Sequence, residues 1–191
     1  MEIIVCIKQT FDTEATITLS HDGQISVRGV NLVINPYDEY ALEEALLIKE
    51  EFGGRVTVVS AGGHEVLEAL RQALAMGADR AVLANDTALK TADEFTIAAV
   101  LAGIMEKSEY DLILGGWRSI DGGSGQVMAR LAERLNLPQV NMVTKLKIED
   151  MRATAWREIE GGTEVVEVPL PAVITAQKGL NEPRYPSMRG I

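Results

Sequence analysis

The segment "DLILGGWRSIDGGSGQV", residues 111–127, decides the fold. It begins as a short apolar run ending in two glycines and passes through a loop with three more, Gly122, Gly123 and Gly125. It then opens into "MARLAERLNL", whose apolar positions recur at helical spacing. A buried strand followed by a glycine-rich turn and a helix is the repeating unit of a parallel α/β sheet, and ligands collect at the carboxyl ends of such strands. Glycine lets the backbone approach a ligand closely, and the free amides at a helix start bind anions without a basic side chain. Ser124 adds a hydroxyl and Gln126 an amide. The pattern is neither G-x-x-x-x-G-K-[ST] nor a G-x-G-x-x-G directly after the first strand, which disfavours a kinase-like or ordinary dinucleotide site. A glycine-rich turn with no ligand remains the structural alternative.

Working outward, further Val/Ile/Leu runs read as strands at 2–8, 55–61, 80–84 and 138–143, with a last one at 170–176. Helices are expected at 36–52, 63–76, about 91–107 and about 124–136. The first helix is well marked, with Asn35 as its cap, Pro36 at its first position and Asp38 near its positive end. Two excursions interrupt the winding. Residues 10–34 alternate around His21-Asp22-Gly23 as a hairpin, and residues 144–168 alternate with turns at Glu149-Asp150 and Gly161-Gly162 as an antiparallel appendage. The expected fold is a Rossmann-like open, mainly parallel sheet with flanking helices, the adenine-nucleotide-binding type, in a single domain over 1–191.

Composition bounds the function. Of 191 residues 47% are hydrophobic and 24% charged, and no apolar run approaches a membrane span. The net charge of −10 argues against a nucleic-acid partner. One cysteine and two histidines, far apart, give no disulfide framework and no zinc spacing. No basic, cleavable leader precedes the first strand, so a cytoplasmic chain is expected. A second glycine pair in "SAGGHE", residues 60–65, together with Asn35 to Asp38 and Cys6, would line the same crevice as the opening loop. That is the geometry of an adenine-nucleotide site, although each segment alone is more often structural, and Cys6 reads first as a small buried hydrophobe.

At this point the chain resembles a known family. "INPYDEYALEEAL", "ALAMGADRAVL", "SIDGGSGQV", "REIEGG" and above all "LPAVITAQKGLNEPRYPS" are similar to the β subunit of electron transfer flavoprotein, in register over essentially the whole chain. The resemblance implies a heterodimer with an α subunit that holds most of one FAD, and an AMP, or in electron-bifurcating members a second FAD, bound by the β subunit. It implies electrons accepted from flavin dehydrogenases, such as the acyl-CoA dehydrogenases of fatty acid oxidation, and passed to the respiratory chain. Carried over by position, the adenine side falls at Cys6, Asn35, Pro36, Tyr37 and Asp38. Ala61 stands where some members have cysteine and serves through its backbone. The phosphate loop runs from Gly116 through Asp121, Gly122, Gly123, Ser124, Gly125 and Gln126 to Val127. Glu158 corresponds to a glutamate near the flavin and an α-subunit arginine; read by itself it is a solvated strand charge. Pro183, Arg184, Tyr185 and Met188 fall in the loop that docks partner dehydrogenases, with Met188 as its apolar anchor.

Three departures stand out. Met128 replaces a common glycine, and Trp117 and Arg118 replace smaller or amide residues, Arg118 being able to meet a phosphate or surface carboxylates. The sequence given ends at Ile191, short of the lysine-rich stretch and C-terminal segment with which family members are expected to continue. Two other classes compete with the carrier. A nucleotide hydrolase or ligase would need S-G-G-x-D-[ST] after the first strand, where "KQTFDTEA" stands, and a nucleotide sensor would work alone as a homodimer.

Overall fold

In the computed structural model, which describes residues 1–21, 23, 25, 26 and 29–187 apart from the Lys90 side chain, the chain runs through sixteen regular strands and α-helices. The first are β1 (Glu2–Cys6), β2 (Gln9–Phe11), β3 (Thr18–Leu19), β4 (Ile25–Ser26), β5 (Leu32–Ile34) and α1 (Pro36–Phe52). There follow β6 (Arg55–Gly62), α2 (Leu67–Met76), β7 (Arg80–Asn85), α3 (Glu94–Met105), β8 (Leu112–Gly116) and α4 (Val127–Leu135). The last four are β9 (Gln139–Glu149), β10 (Arg152–Ile159), β11 (Gly162–Pro169) and β12 (Ala172–Ala176). Eight strands form one sheet in the order β11-β10-β9-β12-β8-β1-β6-β7. From β9 to β7 its pairs are parallel, and β10 and β11 continue it antiparallel.

Strand alternation divides the core into two layers, because successive side chains point to opposite faces. Ile3 and Val5 of β1 join Leu112, Leu114, Val56 and Val58 against Leu42 and Ala45 of α1 and Leu70 of α2. Ile4 and Cys6 point the other way, to Ile113, Val59, Leu101, Met105 and Leu131. The central strands therefore read as continuous apolar runs, as expected of a sheet covered on both faces.

The first expected helix forms as drawn, at Pro36–Phe52, and the other three form with altered starts. Residues 64–66 make a 3₁₀ turn before α2. Another 3₁₀ turn at Thr87–Thr91 precedes α3, whose true cap is Asp93, accepting from the Thr96 amide at 2.8 Å. Helix α4 starts at Val127 rather than 124, which leaves Ser124 to Gln126 in the loop. Residues 10–34 hold two short antiparallel pairs, β2 with β5 and β3 with β4. The expected appendage is joined to the main sheet, because β9 first runs parallel to β12 and then continues as the antiparallel partner of β10. At that junction Met142 takes a positive φ of 60° and donates its amide to Thr175 Oγ1 at 3.0 Å.

Candidate functional site

A cleft of about 340 Å³ opens at the carboxyl ends of β1, β6 and β8, with the start of α3 on its far side. Strand order puts it there: β1 lies between β6 and β8, so the chain leaves β1 and β8 for opposite faces of the sheet and a crevice opens between the departing segments. Cys6, Asn35, Asp38, Ala61 and Gly116 line it, as do Gly122, Ser124, Gly125, Gln126 and Val127 of the glycine loop. Pro36, Tyr37, Asp121 and Gly123 do not line it.

The side chains at the start of α1 do something the sequence did not announce. Asn35 occupies the cap position of α1 without any side-chain cap bond. Its amide instead spans to the loop after β8, donating to the Arg118 carbonyl at 3.0 Å and accepting from the Ile120 amide at 3.1 Å. Asp38 is buried, and its two oxygens accept from the backbone amides of Gly116 and Lys8, each at 2.7 Å. Burial pushes the Asp38 carboxyl up to about 7, against the pull of those two amides, the Asn35 side chain and the Lys8 charge. Burial also pushes the Cys6 thiol up, the Asp38 carboxylate adding to the effect, so Cys6 is a neutral core thiol and no nucleophile.

Lys8, one residue past the expected run of apolar β1 positions, is the residue that sequence reasoning missed. Its Nζ bonds to both Asp121 oxygens at 2.7 and 2.8 Å and lies 3.5 Å from Ser119 Oγ. Partial burial raises the Asp121 carboxyl, but Lys8, Ser119 and the Gly122 amide outweigh it and hold the group below its ordinary value. Position alone was the available signal, since a cation directly after a central strand faces the ligand edge of the sheet.

The loop is built for close approach. A Cβ on Gly116 would fall 2.4 Å from Asp38 Oδ1 and 2.7 Å from Tyr37 Cβ. Gly125 has φ +64° and faces the Trp117 carbonyl at 3.2 Å from its notional Cβ. The backbone amides of residues 124–128 find no acceptor among the described residues. Unsatisfied donors at a glycine-lined cleft, beside the Lys8 cation, match the chemistry of a phosphate. The adjoining hollow lined by Ala61, Ile97 and Leu101 has the apolar character that a base requires. Among the described residues no group of three His, Cys, Asp or Glu side chains is placed to hold a metal, and no helix is long and apolar enough to cross a membrane.

A family model described as "Electron transfer flavoprotein domain" matches residues 22–190. The chain is 50% identical over 192 residues to the electron transfer flavoprotein subunit beta of Bacillus subtilis, covering all of this chain and 74% of that protein. It belongs to the electron transfer flavoprotein β-subunit family. The corresponding subunit of Syntrophomonas wolfei is 51% identical over 193 residues, with 100% of this chain and 75% of the other covered. The "Caffeyl-CoA reductase-Etf complex subunit CarD" of Acetobacterium woodii is 44% identical, covering 100% and 74%. The readings as a stand-alone hydrolase, ligase or sensor give way to this membership.

Within the family frame two of the three departures acquire physical content. The Met128 side chain packs on the backbone of Gly115, its Sδ 2.9 Å from that residue's notional Cβ, filling space at the strand end. The Arg118 guanidinium lies 4.3 Å from the Trp117 ring centroid, and Trp117 in turn donates its indole N–H to Gln177 at 3.2 Å. Arg118 makes no ion pair among the described residues.

The structure does not bring Glu158, Pro183, Arg184 or Tyr185 to the cleft. Glu158 is exposed on β10, separated from β8 by β9 and β12. Pro183, Arg184 and Tyr185 belong to a segment laid over α1. There Arg184 pairs with Glu43 and Glu50 while Tyr185 is 94% exposed. Met188 lies outside the described residues.

Proposed function

We propose that this protein is the β subunit of a heterodimeric electron carrier, holding AMP as a structural ligand in the cleft between β1, β6 and β8. The observation that carries the AMP is the run of unpaired amides at 124–128 beside Lys8 and an apolar hollow. Residues 116 and 122–127 would face its phosphate and the hollow at Ala61 its base, with Cys6 as an inert wall. The partner is an electron transfer flavoprotein α subunit, whose FAD supplies the reversible uptake of electrons. This chain supplies the frame. Glu158 stands on the β10 surface offered to the flavin and the α subunit, and residues 183–188 offer the docking loop for flavin dehydrogenases, such as acyl-CoA dehydrogenases. Electrons then pass on to the respiratory chain, and the carrier works in the cytoplasm. A second reading, FAD in the AMP site of an electron-bifurcating complex, is favoured by the 44% identity to a subunit of a caffeyl-CoA reductase complex.

Co-expression with the α subunit and mass spectrometry of the released nucleotides separates the two. One AMP and one FAD per heterodimer supports the structural-AMP reading, and two FAD with no AMP supports the second. Because a ligand of the native state adds RT ln(1 + [L]/Kd), AMP at one hundred times its Kd is expected to add about 2.7 kcal/mol. For a chain of this size that is roughly 5–10 °C in Tm. An unchanged melting temperature on complete nucleotide removal would refute the structural role.

A further inference from the structure

We infer that Asn35, Asp38 and Lys8 are positioning residues: they brace the loop of residues 116–123 from behind, so that its outer amides stand ready for the nucleotide's phosphate before it arrives. The inference rests on the nucleotide reading above and deepens it.

Every polar group of the three side chains that the structure pairs is directed at the protein. Asn35 contributes one donor and one acceptor to the loop backbone, at Arg118 and Ile120. Asp38 ties the end of β8 to the end of β1 through the Gly116 and Lys8 amides. Lys8 secures the next turn through Asp121, whose Oδ1 also accepts from the Gly122 amide at 2.6 Å. Ser119 completes the turn, its carbonyl accepting from Gly123 at 3.0 Å and its hydroxyl from Gly122 at 3.3 Å. The loop thus divides at residue 123. Its first half is bonded to the β1 and α1 ends, whereas the amides of residues 124–128 find no protein acceptor among the described residues.

That division fixes what each half does. A group whose hydrogen-bonding capacity is already met by the protein gains little by turning to a ligand, while unpaired amides gain a full bond. Holding the loop in its binding geometry removes the ordering cost that binding would otherwise carry. Asn35 and Asp38 therefore act through the loop rather than as side-chain contacts to adenine. Their loss is expected to be felt at the phosphate, several bonds away from them.

The assembled complex, stripped of nucleotide, is titrated with AMP and with adenosine, using Asn35→Ala, Lys8→Met and the parent. Both variants are expected to lose about tenfold in AMP affinity while adenosine changes by less than twofold. Hydrogen exchange of the 116–123 amides, measured without nucleotide, is expected to accelerate in Asn35→Ala. Lys8→Met keeps the test available if Asn35→Ala fails to fold, because the Lys8 side chain is 51% exposed. Equal losses for AMP and adenosine would make these residues direct contacts to the nucleoside, an AMP-only loss in Lys8→Met with unchanged exchange of the 119–123 amides would make Lys8 a direct phosphate contact, and unchanged affinity and exchange would show that the loop holds itself; each overturns the brace. Failure of the parent to bind AMP at all overturns instead the nucleotide reading beneath it.

Discussion

Replacing Arg184 by alanine removes the clamp that lays residues 181–187 along α1. Its Nε donates to Glu43 Oε2 and Oε1 at 2.9 and 3.1 Å, Nη2 to Oε1 at 2.9 Å, and Nη1 to Glu50 at 2.6 Å. Glu43 is only 4% exposed, so removing the guanidinium leaves a buried carboxylate with one backbone amide as its partner. Breaking a fully buried pair costs about 3–5 kcal/mol. Here Arg184 is 32% and Glu50 57% exposed, and solvent screening lowers the figure to about 2 kcal/mol. The loss should be local. Beyond the clamp the segment is held by Asn181, which donates to the Tyr40 carbonyl and Glu44, and by the Ser187 amide on the Ala75 carbonyl. Two kcal/mol corresponds to about a thirtyfold rise in local opening. Hydrogen exchange of the Arg184 and Ser187 amides should accelerate by that factor while amides of β1 and β8 stay protected. Arg184→Lys, which keeps the charge but loses the planar fork, should fall between. Unaltered exchange at Arg184 and Ser187 in a folded Arg184→Ala protein would refute the clamp, and so would uniform acceleration throughout the chain.

Gly116→Ala should destabilise by about 3 kcal/mol or more, because its Cβ meets the Asp38 carboxylate and the Tyr37 backbone. Gly115→Ala should cost about 1 kcal/mol, since the end of a flexible methionine can yield; urea midpoints of the two variants check the contrast. Met128→Gly should cost about 3 kcal/mol by opening a void at the β8 end, again read from urea unfolding. Asp38 titrates near 7 in the folded chain against an ordinary 3.8. Between about pH 4 and 7 the native state therefore holds a proton that the unfolded state has lost, and this group's contribution to stability falls as pH rises through that window. Lys8 and the neutral Cys6 thiol are the titratable groups that face it. The slope of unfolding free energy against pH between 4 and 7 should be less negative by that contribution in Asp38→Asn, and an unchanged slope would contradict the assignment.

The winding of the central sheet was legible because β1 and β8 are buried on both faces and read as nearly unbroken apolar runs. The joining of β9 to the antiparallel strands was not. A single eleven-residue strand looked like two because its register shifts where Met142 adopts its positive φ against Thr175, a tertiary arrangement with no local signature. The glycine loop announced itself by composition. Its brace did not, because Asn35 and Asp38 obey helix-start preferences so well that their sequence positions were fully accounted for. Only the folded chain, which brings residues 83 and 78 positions apart together, shows that the side chains are employed elsewhere. Arg184 was legible as part of a distinctive segment, but its partners on α1 lie 134 and 141 positions away.

The place of β1 in the sheet also governs how the chain emerges during synthesis. Among the described residues the first strand to be made is a central one, and its neighbours are residues 55–62 and 112–116. Its apolar residues must wait beside the ribosome until α1 and β6 appear, and its second edge stays open until well past the middle of the chain. At about 5–20 residues per second, that leaves roughly 5–20 s in which an unpaired Val/Ile-rich edge is exposed. The nascent chain is thus most prone to wrong pairing before residue 116 is made, and the completion of β8 is the moment at which the second edge of β1 is covered.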